Sequence, residues 1–112
     1  MRRIDKPWGY ELIWADTKDY VGKILHIESG KRLSLQYHVK KDETIMVQSG
    51  TLRFEFGDND LSMKFVNMQP GESFHIYPGL LHRMSGITDV DVVEVSTPHL
   101  DDVVRVKDDY GR

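Results

Sequence analysis

The 112-residue chain, 39% hydrophobic and 29% charged, has the composition of a soluble globular protein and the length of one domain, residues 1–112. Its formal net charge of -3, with Lys and Arg scattered along the sequence, excludes the basic stripe that binding to a nucleic-acid backbone requires. The absence of cysteine excludes disulfides, thiolate metal sites and a Cys nucleophile, so any metal must be held by His, carboxylate or amide oxygen.

Met1-Arg2-Arg3-Ile4-Asp5 is not followed by an apolar run. No stretch approaches the roughly 20 apolar residues of a membrane span. The expected location is the cytoplasm, with no membrane partner. Period-two alternation and β-branched or aromatic enrichment then predict strands, in order, over Tyr10–Ala15, Gly22–Glu28, Leu33–His38, Glu43–Gln48, Thr51–Phe56, Leu61–Asn67, Ser73–Tyr77, Asp91–Ser96 and Val103–Lys107. The breaks between them carry turn chemistry: Ser29-Gly30, Ser49-Gly50, Gly57-Asp58-Asn59-Asp60, Gln69-Pro70-Gly71, Pro78-Gly79 and Ser85-Gly86. Thr51–Phe56 and Leu61–Asn67 read as the clearest hairpin. No stretch carries a helical stripe, so the chain reads as all-β. So many short strands in one small domain call for a sandwich or closed barrel, and a jelly roll leaves few open edges. The acidic pairs Asp101-Asp102 and Asp108-Asp109 read as solvated surface.

Histidine spacing is the most informative feature. A lone His is more often a surface or hydrogen-bonded residue than a ligand, but Gln36 and His38 lie two apart on a predicted strand and share a face. Glu43 opens the next strand, with Ile45 and Val47 in phase, and His82 follows the Tyr77-Pro78-Gly79 turn on a later strand. Two imidazoles, one carboxylate and one amide oxygen suit a single divalent first-row ion, whether Zn, Mn, Co, Ni or Fe, with positions left open for water or substrate.

These residues also carry a family resemblance. Gly30, Gln36, His38, Glu43 and Gly50 reproduce the intervals of the first cupin motif, with Gln36 in place of its first His, and Gly71, Gly79 and His82 keep the frame of the second. Leu33-Ser34-Leu35-Gln36-Tyr37-His38 resembles the corresponding segment of type II mannose-6-phosphate isomerases, which occur as the C-terminal cupin of bifunctional mannose-1-phosphate guanylyltransferases. Lys6-Pro7-Trp8-Gly9 and the ending Tyr110-Gly111-Arg112 are similar to that family's entry and closing segments. Two departures stand out: Val39-Lys40-Lys41 replaces histidines that usually follow the His38 position, and Thr44 stands where a His often follows the Glu. The resemblance implies a cupin jelly-roll barrel with a metal held by Gln36, His38, Glu43 and His82, and a homodimer, since cupins often pair through edge strands.

Glu43 is the only anion in that ligand set, so a divalent ion there keeps about one unit of positive charge and favours an oxygen anion. An aldose–ketose isomerisation passes through an enediolate, and interconversion of mannose 6-phosphate and fructose 6-phosphate is the activity the resemblance implies. Alternation puts Lys23 on the same face as Leu25 and Ile27, where it is a candidate base or oxyanion partner; the alternative is a strand-end lysine reaching solvent. The resemblance favours the pocket, since the family has a Lys at the matching place. Glu94, in the apolar run Val90–Val95, matches a family Glu and needs a partner: Lys23, the metal shell, substrate or a structural ion pair. Arg112 matches the family's terminal Arg, and Arg32 and Arg83 flank the two motifs. All three are candidate phosphate anchors or else surface residues. Tyr37, with Trp8, Trp14 and Tyr77, is a candidate sugar contact or core residue. Two other functions fit the ligand set: a non-catalytic sugar- or nucleotide-sugar-binding cupin, and a non-haem iron oxygenase.

Overall fold

The computed structural model describes residues 1–112 and contains only strands and connecting turns. The strands are β1 (Arg2–Lys6), β2 (Gly9–Asp16), β3 (Val21–Ile27), β4 (Leu35–Tyr37), β5 (Glu43–Ser49), β6 (Leu52–Gly57), β7 (Lys64–Met68), β8 (Ser73–Ile76), β9 (Leu81–Gly86), β10 (Val90–Ser96) and β11 (Val104–Lys107). They form two antiparallel sheets, ordered β1-β2-β3-β10-β5-β8 and β11-β4-β9-β6-β7.

Strand β1 was not predicted, and β9 was expected only as the strand carrying His82, without bounds. β1 is an edge strand of charged residues with no apolar alternation to reveal it, and charge on an edge discourages pairing with other chains. β9 is covered on both sides, so Leu81 to Met84 are all buried and the period-two signal disappears. The predicted strand Leu33–His38 contracts to Leu35–Tyr37, and Leu61–Asn67 begins at Lys64, because Asn59 gathers the Leu61 amide and the Ser62 hydroxyl into a turn. The hairpin itself is present, with Leu52 opposite Met68 and Phe56 opposite Lys64.

Side chains of both inner faces interdigitate in one core, led by Leu25, Ile27, Ile45, Val47, Val90 and Val92 from the first sheet and Leu52, Phe54 and Met84 from the second. Phe54 is fully buried and sits 4.6 Å from Phe74 and 5.9 Å from Phe56, ring centre to ring centre. Gly50 makes the turn into β6 at a φ of +81°, and a Cβ there would collide with the Asp89 carbonyl.

The first sheet's inner face changes character along its length. Register places Ile27 beside Val90 and Leu25 beside Val92, and then Lys23 beside Glu94; on the other flank Val47 and Ile45 give way to Glu43. The same alternation that fills the core therefore delivers three charged side chains to one end of it.

Candidate metal and acid–base site

That charged end opens on a cavity of about 420 Å³. Its wall includes Gln36, His38 and Glu43, and also Lys23, Lys41 and Glu94. Gln36 on β4 lies directly across from His82 on β9, His38 follows β4, and Glu43 begins β5 on the facing sheet. The site is thus assembled from both layers.

His38, Glu43 and His82 are all buried, and their donor atoms lie within 4.8 Å of one another. Glu43 Oε1 is 3.6 Å from His38 Nε2 and 3.8 Å from His82 Nε2. Each imidazole is oriented through its other nitrogen: His38 Nδ1 donates to the Asp102 carbonyl (2.6 Å) and His82 Nδ1 to the Leu80 carbonyl (2.9 Å). That tautomer leaves a lone pair on each Nε2, and both Nε2 atoms are buried without a hydrogen-bond partner. Burial, the largest influence, pushes the His82 imidazole down to about 4, so it is neutral near pH 7. Burial works to raise the Glu43 carboxyl, but the His38 ring and the Lys41 ammonium outweigh it and hold Glu43 below the ordinary carboxylate range. Two buried imidazole Nε2 atoms without hydrogen-bond partners, converging with an ionised carboxylate, make a donor set that could hold a divalent metal ion. Gln36, the expected fourth donor, lies across from His82 and lines the same cavity, its Oε1 accepting from the Ser34 hydroxyl at 2.7 Å.

The remaining predicted residues separate into two groups. Lys23 is buried on the interior face, lines the cavity, and pairs with Glu11 at 3.1 Å. Glu94 is buried on the same wall, and its near partner is Lys41 (2.9 Å) rather than Lys23. Burial and then the charge of Glu43 push the Glu94 carboxyl up. Arg112 also lines the cavity, with its guanidinium held by Asp108 at 3.1 Å. By contrast, Arg32 and Arg83 do not reach the cavity. Both are drawn to Asp109, at 2.6 and 2.9 Å, and Arg83 also donates to the Leu33 carbonyl. Tyr37 faces a separate cleft beside Asp58–Asp60 and Val106. Trp8 is buried and lines the cavity, whereas Trp14 lies over Gly22 on the exposed face and Tyr77 is half exposed.

Three site residues escaped the sequence reading. Lys41 is buried with Nζ 2.8 Å from Glu43 Oε2 and 2.9 Å from Glu94 Oε2, both at ion-pair distance though out of hydrogen-bond alignment. Burial opposes its charge, yet the two carboxylates hold its pKa above the ordinary lysine value. It lies two residues before Glu43, and that shared phase was the available signal. Glu11, in phase with Ile13, was hidden by a half-polar strand.

Asp102 belongs to the acidic end read as solvated surface, yet its carboxylate takes the backbone N–H groups of Val39, Lys40 and Lys41 at 3.0, 2.6 and 2.8 Å. Those N–H groups lower its carboxyl to about 2, so this anchorage is complete above the usual carboxylate range and is lost only as pH falls through about 2. Replacing Asp102 with Ala is expected to speed amide exchange at Val39, Lys40 and Lys41 by roughly tenfold or more, with core strands unchanged by NMR. Unaltered exchange at those amides would show that the loop is held by other contacts.

Residues 1–108 match the family described as Mannose-6-phosphate isomerase C-terminal. The chain belongs to that family. Xanthan biosynthesis protein XanB of Xanthomonas campestris pv. campestris is 32% identical over 99% of this chain. Mannose-1-phosphate guanylyltransferase of Escherichia coli is 35% identical over the same share. The chain spans only 24% and 23% of those two proteins. Among solved structures, KdgF from Halomonas sp. superposes with a TM-score of 0.77 at 19% identity, covering 88% of this chain and 89% of that one. An oxalate decarboxylase from Bacillus subtilis gives 0.81 at 13% identity, covering 94% of this chain and 30% of that one. At these identities the likeness establishes the fold, which is the all-β cupin jelly roll. No helix is long and apolar enough to cross a membrane.

Proposed function

We propose that this cupin is a metal-dependent aldose–ketose isomerase of sugar phosphates, with mannose 6-phosphate and fructose 6-phosphate as its substrate pair. The observation that carries the reading is that one cavity wall brings His38 and Glu43, with His82 buried beside them, together with the buried ionisable groups Lys23 and Glu94. A divalent ion held by Gln36, His38, Glu43 and His82 would supply Lewis-acid polarisation of two adjacent substrate oxygens.

The chain's own groups supply the rest. Isomerisation moves a proton between neighbouring carbons, and Glu94 on the cavity wall is the acceptor this arrangement offers. Lys23 Nζ, fixed by Glu11, offers a hydrogen bond to an oxygen that gains negative charge as the proton leaves. Arg2, Lys6, Arg105 and Arg112 line the cavity, and these cations fit the phosphate better than Arg32 and Arg83, which lie outside it.

Incubating the metal-loaded protein with fructose 6-phosphate in D2O is expected to give mannose 6-phosphate, with deuterium exchange at the reacting carbons followed by NMR. The absence of both conversion and exchange would sink the isomerase reading. Lys23→Met is expected to leave metal content unchanged and to cut turnover by about 100-fold or more; undiminished turnover would remove Lys23 from the mechanism.

One observation favours a second reading, binding of the same sugars without turnover. Glu94 Oε2 is already paired with Lys41, which leaves that oxygen less free to reach a substrate carbon. Saturable sugar binding with no exchange would support it.

A further inference from the structure

The two oxygens of Glu43 have different company. Oε1 faces His38 Nε2 and His82 Nε2, while Oε2 lies 2.8 Å from the Lys41 ammonium. We propose that Lys41 is a positioning residue that occupies Glu43 Oε2, restricting Glu43 to one-oxygen ligation through Oε1 and thereby keeping a coordination position free for substrate. The inference rests on the metal reading above and concerns how the ligand is held.

A carboxylate can bind a cation through one oxygen or both, and an isolated Glu is free to swing between the two modes. Here that freedom is opposed by a buried charge. Releasing Oε2 would strand the Lys41 ammonium in an environment where it is only 5% exposed, with Glu94 as its one remaining partner. Lys41 cannot readily follow the carboxylate, because both ends of the residue are fixed: its backbone N–H is on the Asp102 carboxylate at 2.8 Å, and its Nζ is on Glu94 Oε2 at 2.9 Å. Asp102 also receives His38 Nδ1 on its carbonyl, so one residue anchors both an imidazole ligand and the lysine that restrains the carboxylate ligand. Adjacent substrate oxygens need two positions on the ion, and a second Glu43 oxygen would take one of them.

Mn(II) loading tests this without measuring activity. Metal stoichiometry is determined first, and then the number of exchangeable waters on the bound ion by water-proton relaxation. Lys41→Met is expected to bind Mn(II) at the wild-type stoichiometry with about one fewer exchangeable water, Glu43 Oε2 having taken its place. Lys41→Arg is expected to restore the wild-type water count. Because Lys41→Met leaves Glu94 buried without a partner, the double variant Lys41→Met with Glu94→Gln is measured alongside; it removes the stranded charge and keeps the comparison valid if the single variant is unfolded by circular dichroism. An unchanged water count in the folded variant would overturn the proposal while leaving the metal site standing. Failure of the wild-type chain to bind Mn(II), Zn(II) or Co(II) would overturn the metal reading and the proposal with it.

Discussion

Replacing His82 with Ala is expected to lower divalent-metal affinity by at least 10- to 100-fold, the loss that follows from disturbing even an outer partner of a metal ligand. His82 Nε2 is one of two buried imidazole nitrogens that have nothing else to bind, and burial keeps the ring neutral down to about pH 4, so little proton competition masks its contribution at neutral pH. The substitution also leaves the buried Leu80 carbonyl without its imidazole donor, at a cost of about 1–3 kcal/mol. A folded barrel with depleted metal is therefore the expected product. Elemental analysis after dialysis, with circular dichroism on the same sample, checks both halves. Unchanged metal content would show that the ligand assignment is wrong.

The largest loss of stability is expected from Phe54→Ala. Its ring is completely buried, contacts Phe56 and Phe74, and lies 6.1 Å from His82 between ring centres. Removing it should cost about 3–5 kcal/mol, from lost transfer energy and from the cavity left behind. That is a large part of the roughly 5–15 kcal/mol typical of a whole domain. Urea denaturation is expected to show a lower midpoint with little change in slope. A loss under about 1 kcal/mol would mean that the facing sheets close over the gap. Because the same ring backs His82, metal affinity should also weaken slightly even in the folded fraction.

The cluster of candidate ligands was legible in the sequence for a geometric reason. Gln36 and His38 share a strand phase, Glu43 opens a strand whose alternation continues through Ile45 and Val47, and the turn at Gly79 fixes where His82 enters. Lys23 was legible by the same alternation. Lys41 offered only its phase with Glu43, because it precedes β5 in a loop whose course is set by Asp102, a residue 61 positions away. The anchoring contact itself, at that separation, leaves no local trace. Arg32 and Arg83 misled in the opposite direction: they flank the motifs in sequence, but Asp109 turns both guanidinium groups away from the cavity. Strand β9 was obscured because burial on both faces removes the polar half of its alternation.

Arg2 from β1 and Arg112, beyond β11, both contribute to the cavity wall. A purification handle attached beside either residue would therefore emerge at the cavity whose wall includes Gln36, His38 and Glu43. An oligohistidine tag would offer imidazoles that compete with His38 and His82 for the ion, and any bulky tag would crowd the cations placed to receive a phosphate. Metal and substrate measurements on this protein are best made on a tag-free chain.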